Sequence, residues 1–201
     1  MKGLTDAPGT SICSSGMTDT RSSSSGPVEA LPRSTRIALA GLLVPVVVIL
    51  DQYTKWLVLR EPRFNALGCL DDPRLCGKIE ISEIFDLTML WNRGMSYGMF
   101  QSEGAMRWVL VAVTLAIAVG FGIWLMRASR RLTALALALV VGGAIGNVID
   151  RIRFGAVVDF FDFSGLYFPY VFNVADAAIT VGAVLLFFDQ FLLSRKDAPG
   201  S

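Results

Sequence analysis

The chain has 201 residues, 53% of them hydrophobic and 17% charged, with a mean hydropathy of +0.55. That is long enough for one domain and too apolar for an ordinary soluble one, so an integral membrane protein is expected. A net charge of +1 gives no reason to expect a nucleic-acid partner, the lack of histidine excludes a histidine base, and three scattered cysteines make no zinc spacing, so neither a metal nor another cofactor is expected.

Residues 1–33, with the run Ser22 to Ser25, read as a disordered cytoplasmic tail. Four segments follow that are apolar for roughly 20 residues, the length that crosses a bilayer core: 37–59, 105–126, 132–152 and 174–193. The first is longer than a signal-peptide core, contains Asp51 and Lys55, and precedes no small-residue cleavage site, so it is read as a retained span. Arg33 and Arg36 precede the first span, Arg127, Arg130 and Arg131 separate the second from the third, and Arg195 and Lys196 follow the fourth. The positive-inside rule puts these clusters and both termini in the cytoplasm. Loops 60–104 and 153–172 are then extracytoplasmic. The membrane domain is expected to occupy residues 34–196, with a short tail at 197–201.

Within the first outer loop, Ile79 and Ile81 alternate with Glu80 and Ser82, and Leu87 and Met89 alternate with Asp86 and Thr88, the period of a half-buried strand. The second loop is rich in β-branched and aromatic residues around Gly165 and Pro169. The expected fold is therefore an α-helical membrane protein of four transmembrane helices with a small extracytoplasmic β-rich region. Cys69 and Cys76 share the outer loop, where a disulfide is chemically open to them, whereas Cys13 is expected to stay reduced.

Polar residues inside the spans need a reason, because an ionised group in hydrocarbon costs several kcal/mol unless compensated. Asp51 and Lys55 lie one helical turn apart, which reads as a local ion pair. In GGAIGNVIDR, Gly142 and Gly146 allow close helix packing, Asn147 lies one turn from Asp150 and Arg151, and Asp150 with Arg151 reads as a structural pair. Asp159 and Asp176 have no basic residue within four positions, and Asn173 lies one turn before Asp176. If folding brings these two acids together, one holds a proton while the other is ionised, the chemistry of an aspartic protease. Asp162 points to the opposite face of an extended chain and reads as a solvated loop residue. On polarity alone, a proton or ion pathway in a transporter ranks nearly level, although four helices without an evident inverted repeat argue against it.

The blocks DQYTKW (51–56), WNRGMSYGMF (91–100), GGAIGNVIDRIRFGAVVDFF (142–161) and VFNVADAAI (171–179) resemble, in order, those of the lipoprotein signal peptidase (signal peptidase II) family. The resemblance implies an aspartyl endopeptidase of the bacterial inner membrane. Its implied substrates are prolipoproteins already modified with diacylglyceryl and held in membrane lipid, cut just before the lipidated cysteine. The family's dyad falls on Asp159 and Asp176. Its supporting polar residues fall on Asp51, Asn92, Asn147, Asp150, Arg151 and Asn173, with Gly94 in the second block. Tyr97 stands where Phe or Trp is common, and the N-terminal tail is long for the family. A monomer is expected.

Overall fold

The structure, a computed structural model, describes residues 31–68, 77–94, 103–167 and 170–196. The expected N-terminal tail (1–33, but for its last three residues), the C-terminal tail (197–201), Cys69, Cys76, Pro169 and Tyr97 lie outside the described residues.

Each of the four apolar segments forms a long helix: α1 (Arg33–Leu59), α3 (Glu103–Arg127), α4 (Arg131–Phe154) and α5 (Val174–Lys196). A short helix, α2 (Pro62–Ala66), starts the first long loop. It was not expected, because its five residues are too few for periodicity to show. A proline at its start and the Glu61 side chain, which accepts the Arg63 N–H, define its beginning.

Among the long helices, α4 is central and packs against α5, α1 and α3. Most of α4 is buried, whereas α1, α3 and α5 turn large apolar side chains such as Leu42, Ile49, Val119 and Phe187 outward. In water such a surface would be unfavourable, but lipid is as apolar as leucine. Small residues let the helices approach. A Cβ on Gly142 would lie 2.8 Å from Val47 Cβ, and one on Gly146 would lie 2.6 Å from Asp51 Oδ2, so the expected glycine step faces α1. Gly143, on another side of α4, abuts the Ala175 carbonyl of α5.

The loops between the helices supply one antiparallel sheet in the order β1 (Lys78–Glu80), β2 (Asp86–Asn92), β3 (Val157–Asp162), β4 (Val171–Phe172). Ile79, Met89, Val158 and Phe160 of the sheet cluster with Val58 at the end of α1 and Phe64 of α2. The expected alternation holds only in part. Ile79 is buried, but Ile81 lies beyond β1 and is half exposed, and Asp86 is buried although its parity in the sequence points outward. A bulge explains the second departure: Leu87 pairs with Phe161 but Leu90 pairs with Asp159, so one extra residue of β2 exchanges its faces partway along. Asp86 is held inside by Lys78 at 2.6 Å and by the Ile81 N–H.

The opposite end of the bundle carries the basic clusters. Arg36 donates to the Met126 carbonyl at 2.6 Å, and the Leu31 N–H donates to Ser129 O at 2.9 Å, fastening the start of α1 to the α3–α4 turn.

Candidate active site

The site forms where the sheet meets the ends of α1, α4 and α5. Asp159 sits in β3 and is 1% exposed, while Asp176 lies in the first turn of α5 and is half-buried. Asn173 joins them. Its Oδ1 accepts the Asp176 N–H at 2.9 Å, a helix cap at the start of α5, and this turns its Nδ2 toward Asp159 Oδ1 at 2.6 Å. The same Nδ2 lies 3.3 Å from the Val158 carbonyl.

Two further asparagines hold the outer sides of the pair. Asn92 donates from Nδ2 to Asp159 Oδ2 at 3.0 Å, and its Oδ1 accepts the Gly94 N–H at 2.9 Å. Gly94 has φ of +84°, a left-handed conformation that a side chain would strain. The β2 bulge is what brings Asn92 to this face: with Leu90 opposite Asp159 and Asn92 opposite Val157, Asn92 shares the side of the sheet on which Asp159 projects. Without the extra residue it would point to the opposite face. Asn147 of α4 donates from Nδ2 to Asp176 Oδ1 at 2.7 Å.

Behind these residues lies a buried ionic cluster. Lys55, 2% exposed, reaches Asp51 Oδ2 at 2.8 Å and Asp150 Oδ2 at 2.7 Å. Asp51 also accepts the Ala175 N–H at 2.9 Å, which fixes the start of α5, and Asp150 accepts the Val158 N–H at 3.2 Å, which fixes β3 one residue before Asp159. Gln52 spans both acids, at 3.2 Å from Asp51 and 2.8 Å from Asp150.

All the expected site residues therefore converge, with three corrections to their partners. Asp150 pairs with Lys55 and not with Arg151, because consecutive helical residues point about 100° apart and do not face each other. Arg151 instead lies 3.4 Å from the Asn147 carbonyl, with Asp176, Asp159 and, more weakly, Asp150 within electrostatic reach of its guanidinium. The Asp51–Lys55 pair exists but belongs to this wider cluster. Asp162 does face away from Asp159, yet it is buried rather than solvated: Thr88 Oγ1 donates to it at 2.6 Å and the Ser164 N–H at 2.9 Å, closing the turn after β3. Lys55 was read only as the partner of Asp51, and Gln52 and Asp189 were missed as structural determinants. Asp189 lies at the other end of the bundle, buried in α5 against Arg130 at 2.7 Å and accepting from Thr133. The spacing Asp51–Gln52–Lys55 was the available signal for Gln52 and Lys55.

Burial, and next the negative charge of Asp176, push the Asp159 carboxyl up to about 7. Hydrogen bonds from Asn92 and Asn173 and the charge of Lys55 act in the other direction and do not cancel the rise. An acid titrating near neutrality beside a second carboxyl is equipped for proton transfer.

Fold and site together define a membrane-spanning protein in which one asparagine links two carboxyls at the end of the bundle, an arrangement suited to the acid–base work of a hydrolase. The profile of the signal peptidase (SPase) II family matches residues 43–192. A lipoprotein signal peptidase of Methylobacterium radiotolerans is 46% identical over 164 residues, covering 79% of this chain and 90% of the relative. Those of Caulobacter vibrioides and Brevibacillus brevis are 41% and 38% identical, covering 77% and 78% of this chain and 87% and 97% of theirs. A solved bacterial membrane enzyme superimposes with a TM-score of 0.65 at 23% identity, over 86% of this chain and 97% of its own, and shares the fold. The chain belongs to the signal peptidase II family. It is a bacterial multi-pass membrane protein and an aspartic peptidase.

Proposed function

We propose that Asp159 and Asp176 are the catalytic dyad with which this peptidase removes the signal peptides of prolipoproteins. The observation that carries the assignment is Asn173, whose single carboxamide caps α5 at Asp176 and grips Asp159. Asp159, pushed up to about 7, holds the shared proton and hydrogen-bonds the scissile carbonyl. Asp176 takes a proton from a water molecule, whose oxygen attacks that carbonyl carbon. Collapse of the tetrahedral intermediate returns a proton to the departing amine. Asn92, Asn147 and Asn173 hold the carboxyls in place, Gly94 shapes the turn that orients Asn92, and Asp51, Asp150 and Arg151 fix the surrounding helices and β3.

The substrate is a diacylglyceryl-modified prolipoprotein cut before its lipidated cysteine, a reading supported by family membership and by a site at the mouth of a membrane bundle. Arg36 and the α3–α4 turn share the end of the bundle remote from the sheet, which supports cytoplasmic termini and an active site near the outer face of the inner membrane. Residues 34–196 act as one membrane domain. A monomer suffices, since one chain supplies both acids and every asparagine that holds them.

The test is incubation of the purified protein with a diacylglyceryl-modified prolipoprotein, with product masses read directly. Cleavage before the modified cysteine is expected. Asp159→Asn and Asp176→Asn should each lose about 10³-fold or more, within the range of acid–base contributions, while retaining the wild-type melting transition. Full activity in either folded variant would remove that residue from the dyad.

A further inference from the structure

The three asparagines around the dyad share a problem. A carboxamide is nearly symmetric in shape, and only its hydrogen-bond partners decide which end is oxygen and which is nitrogen. At each of them the nitrogen has to face a carboxyl. For Asn92 the Gly94 N–H settles the choice by engaging Oδ1, and for Asn173 the Asp176 N–H does so. Both are backbone donors at fixed positions. Among the described residues, no such backbone donor meets the Asn147 side chain. Its Oδ1 faces Asn173 Nδ2 at 3.3 Å and Lys55 Nζ at 3.4 Å, and its Nδ2 then points to Asp176 Oδ1 at 2.7 Å.

We infer that Lys55 is a positioning residue of the peptidase, whose ammonium fixes the orientation of the Asn147 carboxamide and through it the carboxyl of Asp176. The inference rests on the dyad reading and deepens it. An ammonium has three protons, and in Lys55 they meet Asp51 Oδ2, Asp150 Oδ2 and Asn147 Oδ1. The two carboxylates hold the nitrogen in place, and the third proton selects the amide. Turning Asn147 over would set its NH₂ against the ammonium and the Asn173 NH₂, and would set its oxygen against Asp176. The donor clash and the carboxylate clash both oppose that flip. Asn173 alone is a weaker selector, because its Nδ2 is shared with Asp159 Oδ1 and the Val158 carbonyl. The charge on Lys55 therefore does more than neutralise Asp51: it carries orientation from α1 through α4 to the acid on α5.

Lys55→Met alone leaves Asp51 and Asp150 buried without a cation and is expected to unfold the cluster. The informative variant is Lys55→Met with Asp51→Asn and Asp150→Asn, which removes the cation's hold on Asn147, leaves no carboxylate of the cluster buried without a cation and has the same net charge there as its reference, Asp150→Asn alone. In the purified full chain acting on a diacylglyceryl-modified prolipoprotein, we expect the charge-matched variant to melt within a few degrees of its reference. Its KM should stay within about twofold, and its kcat should fall about 10- to 100-fold, the scale of a catalytic group displaced by a fraction of an ångström to an ångström. Adding Asn147→Ala should cost it little more, because the two residues act through one amide. A kcat equal to that of the reference, or losses that multiply when Asn147→Ala is added, would overturn the role of Lys55. Asp176→Asn in the same assay separates the two levels: retained cleavage there removes the dyad itself, whereas its loss beside a fully active charge-matched variant removes only Lys55.

Discussion

Asp159 combines burial with two donated hydrogen bonds, and these pull against each other. Desolvation and the Asp176 charge favour the proton, while Asn92 and Asn173 favour the anion, and the outcome is a carboxyl at about 7. An acid raised above its ordinary 3.8 binds its proton more tightly in the folded protein, so its contribution to stability is full below about 3.8 and is lost as pH rises through about 7. Catalysis that needs this proton follows the same direction. The rate is expected to fall about tenfold per pH unit above about 7, read from kcat/KM against pH, which reports the substrate-free enzyme. Asn92→Ala removes a bond to the ionised form and leaves burial in place, so the carboxyl should rise further and the alkaline limb should move to higher pH. An unmoved limb would show that Asn92 does not grip the titrating acid. The two acids were visible in the sequence because each lacked a cation nearby in the chain. Of the hydrogen bonds that set their roles, only that between Asn173 and Asp176, one turn apart, was open to a local reading; Asn92 and Asn147 lie far from both acids in the sequence, and they and Asn173 reach their remaining partners only when the sheet, α4 and α5 meet.

The first turn of α5 carries Asp176, and its position depends on how closely α4 approaches. Gly143 abuts the Ala175 carbonyl, one residue before the acid, and an added Cβ would also come within 2.8 Å of Ile179 Cγ1. Backbone cannot yield as a side chain can. Gly143→Ala is therefore expected to push α5 outward, costing about 1–3 kcal/mol as overpacking does, and to lower kcat by displacing Asp176. Gly120→Ala in α3, where nothing lies within 4 Å of the added carbon, should be neutral or slightly stabilising. Melting temperature and cleavage rate, measured on both variants in one detergent, decide it: equal behaviour would mean that the α4–α5 contact is soft. The long helices were legible because apolar length alone marks a span. The bulge in β2 was not, because it is set by pairing with β3, and a bulge reverses the in–out parity on which the reading of a strand depends. Asp86, alternating outward by sequence and buried in fact, shows that reversal.

At the scale of the whole molecule, the two ends of the bundle differ in kind. One gathers Arg36, the α3–α4 turn and the ion pair of half-buried Arg130 with buried Asp189; the other carries the sheet and both acids. A reporter fused after residue 196 or placed between 127 and 131 should be cytoplasmic and one near residue 71 extracytoplasmic, and the reverse at residue 71 would put the acids on the wrong side for prolipoprotein processing. If the site works at the outer membrane edge, the lipid on the substrate has a definite physical task. The cysteine side chain is small, and contacts of one or two methylenes discriminate by only about 1–3 kcal/mol. Two acyl chains represent about 0.8 kcal/mol per CH₂ on leaving water, but a substrate chain is already in lipid and gains little of this by moving against a helix. Its main contribution is to hold the scissile bond at the depth of the dyad, which replaces a search through solution with a fixed approach. A precursor without diacylglyceryl should therefore lose most of its turnover, while shortening the acyl chains should matter less than removing them. Cleavage rates of unmodified, short-chain and long-chain precursors in one bilayer test this directly: equal rates for all three would mean that the enzyme reads the peptide and ignores the anchor, and a steady decline with chain length would mean that the acyl chains bind in proportion to their area rather than setting depth.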